Sequence, residues 1–166
     1  RKTIHMWIFL ISAYILMGMS SIALLVTAYA GYTQDLLFGV NHPRIATVTI
    51  LTLSFTETLV MYFFIATGKA YKSLIKDTEK ETSFQLKMAQ IKSPIYKHVS
   101  LTILLFGIVF ILGGAADNNF SIGWLHGQLF LVSILYYFWA LKIKNTAFQK
   151  QVELIGEMDK AISCTT

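Results

Sequence analysis

"HVSLTILLFGIVFILGGAADNNFSIGWLHGQ", residues 98–128, holds a nearly unbroken apolar run, a glycine pair, one short polar turn and a histidine near each end. The run before the turn, Val99–Ala116, and the run after it, Ile122–Leu141, each approach the roughly 20 residues that carry an α-helix across a bilayer at about 1.5 Å per residue. Two further blocks, Ile4–Tyr29 and Ile45–Thr67, precede them. The chain has 166 residues, 55% hydrophobic and 14% charged. That is more apolar than an ordinary soluble domain, and four spans leave little sequence for one. Backbone polar groups find no partner in hydrocarbon, so a spanning segment must be a helix or part of a closed barrel. The expected fold is all-α: a single integral membrane four-helix bundle over residues 1–166, with spans at about 4–29, 45–67, 99–116 and 122–141.

Charge distribution orients this bundle. The formal charge of +5 is compatible with nucleic acid in amount but not in placement. Arg1 and Lys2 precede the first span. Lys69, Lys72, Lys76, Lys80, Lys87, Lys92 and Lys97 fill the interval between the second and third. Lys142, Lys144, Lys150 and Lys160 follow the fourth, and Arg44 alone stands on the other side. Basic residues concentrate on the cytoplasmic face, so both termini, the segment 69–97 and the tail 142–166 are expected there. The expected location is a prokaryotic plasma membrane. "TAYAG" (Thr27–Gly31) has the small-residue pattern of a signal-peptidase site, but the apolar run before it is much longer than a signal's core, which favours a retained helix. The chain opens on Arg1, so a few residues are expected before it. The one cysteine, Cys164, has no internal disulfide partner.

Local signals refine the ends of the spans. Asn41 or His42 can cap the second helix, with Pro43 in its first turn, where a missing N–H has no effect. The short turn "ADNNFSIG" makes the third and fourth helices antiparallel neighbours. Thr78 with Glu81 has the form of a capping box. Phe84, Met88 and Ile91 then recur at helical spacing until Ser93–Pro94, which predicts a short amphipathic helix lying on the membrane. Phe148, Val152, Ile155, Met158 and Ile162 mark a second amphipathic face, suited to packing on the middle segment or on a partner subunit. The histidines suggest a duplicated hairpin. His5 and His98 begin the first and third spans at the inner face, and His42 and His126 stand toward the outer face of the second and fourth.

Sorted by depth, His5 with His98 and His42 with His126 form an inner and an outer pair. A b-type haem takes two axial ligands from facing helices, and imidazole nitrogen is a common one. Helices that pass the plate must carry small residues. Gly113 and Gly114 lie 15 and 16 residues after His98, and Gly18, Ser20 and Ser21 lie 13 to 16 after His5. Close helix packing through small residues is the competing explanation. The stretch 98–127 resembles the His…Gly-Gly…His region of the cytochrome b-561 class and its bacterial relatives, and "NHPR" resembles a His-Pro helix start in some of them. The resemblance covers about a quarter of the chain. It implies a four-helix core with two haems, each held by helices one apart in order, with His98 and His126 as ligands and His5 and His42 as their partners.

One measurement argues against an outer pair. If Lys69 and Lys142 both mark the inner boundary, His42 and His126 differ in depth by roughly 16 Å in upright helices. Glu57 is the other residue of interest. It lies inside the second span, where a carboxyl should face the bundle interior and needs a partner. Proton transfer, a hydrogen bond to a quinone or pigment, and a metal site with Asp117 and His126 are its candidate roles. The sequence has no phosphate-binding glycine loop, no H-E-x-x-H, no paired-cysteine zinc site and no nucleophile elbow. The expectation is a small b-type cytochrome with one or two haem b, serving transmembrane electron transfer alone or in an oxidoreductase. Its partners would be lipid, other membrane subunits and a quinone or small redox donor, with no nucleic acid. The alternatives are a cofactor-free accessory subunit of a membrane complex and an intramembrane metal centre.

Overall fold

The computed structural model describes the backbone of residues 2–34, 36–37, 39–73 and 81–163, and the side chains of these except 2–5, 81 and 161–163. Four long helices carry the fold: α1 (Lys2–Thr33), α2 (His42–Lys72), α3 (Glu81–Asp117) and α4 (Leu125–Ser163). A short 3₁₀ turn, Ser121–Trp124, leads into α4. All four helices are long and apolar enough to cross a membrane. Large side chains such as Ile22, Leu51, Ile111 and Leu135 are more than 60% exposed on their outer faces, as lipid-facing residues of a span would be.

α1 packs on α2, α2 on α3 and α3 on α4, with thinner contacts of α4 to α1 and α2; among the described residues the backbones of α1 and α3 do not approach closely and sit diagonally. Neighbours run antiparallel, so α2 and α4 run parallel, and Lys2 and Ser163 lie at the same end. At the opposite end two helix stops share one chemistry. Gln34 (φ 58°) ends α1 with a bond from its N–H to the Ala30 carbonyl. Asn119 (φ 58°) ends α3 with the paired bonds Asn119 N–H to Ala116 O and Phe120 N–H to Ala115 O. These are the left-handed caps that satisfy orphan carbonyls. Asn41 is the N-cap of α2 through its extended backbone but makes no side-chain cap bond, and Pro43 follows in the first turn. Gly123 lets the 3₁₀ turn sit on α3, because a Cβ there would meet the Ala116 Cα at 2.6 Å.

Three expectations need correction at the end that carries the termini. Ser93–Pro94 does not stop a helix: α3 runs unbroken through Pro94. An interior proline removes one helical hydrogen bond, but Ile95 and Val99 just beyond it are fully buried and hold the helix in place. Phe84 and Met88 therefore do not lie on a membrane surface. They join Tyr71, Phe148, Leu154, Ile155 and Met158 in a core formed by the ends of α2, α3 and α4. The tail packs on the middle segment, and Lys87 bonds Glu157 across it at 2.9 Å. The third correction is Lys144. It is not a flanking charge but fully buried, paired with Glu57 of α2. The proposed capping box at Thr78, the side chain of Ile162 and Cys164 fall outside the described residues.

Candidate functional site

The site lies at the end away from the termini, where α2 and α4 begin. His42 is the first residue of α2 and His126 the second of α4. Their rings face one another with centroids 6.1 Å apart and planes at 69°. The 16 Å mismatch disappears because Lys69 and Lys142 do not mark one level. α4 runs well past Lys142, and its Lys144 sits against Glu57, only four turns into α2.

Each ring rests on a glycine of the preceding helix. A Cβ on Gly31 would meet His42 Cε1 at 2.9 Å, and one on Gly113 would meet His126 Cε1 at 3.0 Å. Any side chain at either position would displace the imidazole. One turn before each glycine lies a backbone carbonyl. That of Val109 is 2.9 Å from His126 Nδ1, so Nδ1 carries the proton and donates, and Nε2 keeps its lone pair. The Thr27 backbone holds the matching place for His42, but His42 Nδ1 is buried without a completed hydrogen bond. The two hairpins thus repeat one device: glycine, a carbonyl four residues earlier, and a histidine at the start of the next helix.

A cavity of about 320 Å³ opens around the two rings. Ala28, Gly31, Ala46, Gly113 and Gly114 keep its walls thin, and Leu24, Leu53, Phe106 and Phe130 form its apolar floor. Gly114 faces open space. Asp117 lines the rim and, among the described residues, is the carboxylate whose field reaches His42. Gly18, Ser20 and Ser21 are not part of it. Ser20 bonds Thr56 at 2.8 Å, deeper in the bundle, and the small residues that α1 supplies are Ala28 and Gly31.

The other sequence candidates separate. His98 turns toward α4: its Nδ1 is 2.7 Å from the Tyr136 hydroxyl, and its ring meets Trp139 edge-on at 4.9 Å. The side chain of His5 lies outside the described residues. Glu57 is held by Lys144, away from Asp117 and His126. Among the described residues no group of three or more His, Cys, Asp or Glu side chains is placed to hold a metal ion. Gly31, Thr27, Val109 and Lys144 carry the geometry but were not singled out from sequence. For Gly31 a signal existed, since Gly31 precedes His42 by 11 residues much as Gly113 precedes His126 by 13.

The donor set fits a bis-imidazole group. The two imidazoles are near enough that both would hold one metal-bearing group, since a metal–imidazole bond is about 2 Å long. The orphaned Nδ1 of His42, the fixed tautomer of His126 and the glycine under each ring agree with that use. No family model, curated protein or solved structure matches the chain. The site is therefore read on its own chemistry, in a protein whose four apolar helices suit an integral membrane bundle.

Proposed function

We propose that the protein is a small b-type cytochrome of the membrane, holding one haem b between His42 and His126. The observation that carries this reading is the pair of facing imidazoles, 6.1 Å apart between centroids, at a small-walled cavity where two repeated hairpins meet. When bound, the haem supplies one-electron chemistry. The chain's own residues supply the rest. The Val109 carbonyl fixes the His126 tautomer and ring orientation. The Thr27 carbonyl is in place to do the same for His42. Leu24, Leu53, Phe106 and Phe130 keep water from the inner side of the site and lower its dielectric, which tunes reduction potential. The basic bias, even without Lys144, supports cytoplasmic termini in a prokaryotic plasma membrane, which puts this site toward the outer face. An electron donor or acceptor such as a quinone, or a neighbouring membrane subunit, would approach there.

The visible absorption spectrum of protein purified from a haem-replete membrane tests the proposal. Sharp reduced-state bands are expected in the wild type, lost in His42→Ala and in His126→Ala and kept in His98→Ala. A colourless, folded wild-type protein, or bands that survive both ligand substitutions, would overturn it.

A further inference from the structure

The cavity leaves one buried charged cluster unused. Glu57 and Lys144 have no exposed surface. Glu57 Oε1 accepts from Lys144 Nζ, while Oε2 is buried with no partner. Lys144 Nζ also lies 5.2 Å from the centre of the fully buried Tyr137 ring. Removing two charges from water offsets most of their attraction, and apolar residues of equal volume often hold a core as well. Stability alone therefore gives no reason for this pair. In a membrane interior, ionisable groups mark ion or proton movement by default.

Two hydrogen-bonded pairs flank the site on α4. Next to Lys144, the exposed Asn145 accepts a 2.6 Å bond from the Tyr14 hydroxyl. Next to Tyr137, the Tyr136 hydroxyl meets the partly exposed His98 at 2.7 Å. Tyr136 feels the charge of Glu57, and His98 that of Lys144. Toward the cavity, apolar side chains separate the hydroxyl bridges between α1 and α2. Between the Ser20–Thr56 bridge and the Thr27–Thr49 bridge lie Leu24 and Leu53, both buried. The titratable groups that face the pair are Tyr136 and Tyr137 of α4 and His98 of α3. α1 offers the Ser20 and Ser21 hydroxyls beside Tyr137, with Tyr14 tied to Asn145.

We propose that Glu57 and Lys144 form a proton-exchange site reached along the seam between α3 and α4. Glu57 Oε2 takes one proton from water by way of the His98–Tyr136 pair and becomes a carboxylic acid. Lys144 remains an ammonium, so the site gains one positive charge, and the proton leaves by the same route. This goes beyond the haem reading and does not depend on it.

Infrared difference spectra of the full chain in lipid nanodiscs, titrated over about pH 4–9, test the proposal without any cofactor. A carboxylic-acid carbonyl band should grow on acidification, shift when glutamate is carbon-13 labelled, disappear in Glu57→Gln and persist in Asp117→Asn. The labelled wild type keeps the test open if the variant does not fold. After a pH jump, His98→Phe and Tyr136→Phe should slow the appearance of the band by roughly tenfold or more. A wild type with no glutamate band in this range, a band that persists in Glu57→Gln, or unchanged rates in both phenylalanine variants would each overturn it.

Discussion

At the end that carries the termini, the rings of Phe63, Phe64 and Phe148 meet with centroids 5.1 to 5.3 Å apart. At the other end, Gly31 and Gly113 stand where large side chains would close the interior, and a cavity of about 320 Å³ remains. The same four helices build both ends. Aromatic side chains fill the middle of the first, which keeps only an open groove of about 470 Å³ along its α3–α4 seam, while glycine and alanine leave the middle of the second hollow beside two histidines. The hollow is not poor packing. Its walls carry hydrogen-bonded or tightly seated imidazoles, and each glycine sits where a methyl group would push a ring aside. Stability and binding should therefore separate by end, and substitutions can test that separation.

The largest effect is expected from filling the hollow. Gly113→Leu or Gly31→Leu should abolish the haem spectrum while the circular dichroism of the bundle stays helical. A variant that still binds would break the comparison. At the solid end, Phe148→Ala should cost about 3–5 kcal/mol in reversible unfolding and leave the absorption bands in place. Lys144→Met should also cost about 3–5 kcal/mol, because it strands a buried carboxylate. Adding Glu57→Leu to it should restore most of that loss, measured as a double-mutant cycle. Ser20→Ala, which removes one hydroxyl bridge between α1 and α2, should cost about 0.6 kcal/mol. Lys87→Ala at the exposed Glu157 pair should cost less than about 0.5 kcal/mol, falling further in high salt. These last two sharpen the picture by showing that polar contacts outside the buried pair contribute little.

Hydropathy made the four spans legible, because lipid demands about 20 apolar residues in a row and the sequence has four such blocks. It failed at the helix ends near the termini, where tertiary packing decides the structure. Pro94 reads as a stop, yet Ile95 and Val99 are buried on both sides of α3's neighbours and carry the helix through. Lys144 reads as a flanking charge because it follows the apolar run by three residues, and sequence has no signal for its partner 87 positions earlier. The histidine pair at the hollow end could be sorted by depth from topology alone. The inner pair could not be carried as far, since ring direction depends on rotation about the helix axis, and α3 is turned so that His98 meets α4. Gly31 was legible only through the repeat, and only once Gly113 was known to support a ring.

Glu57 and Lys144 belong to different hairpins, and this has a consequence for biogenesis. During synthesis α2 is complete while the ammonium that will answer its carboxyl, 87 residues beyond Glu57, is still to be made. The first hairpin must therefore enter lipid with Glu57 protonated or wetted, and it reaches its final state only when the last helix arrives. A chain cut after residue 141 would retain all four apolar runs and lack that final latch. Quality control in the membrane would meet it as an orphaned acid rather than as a finished bundle.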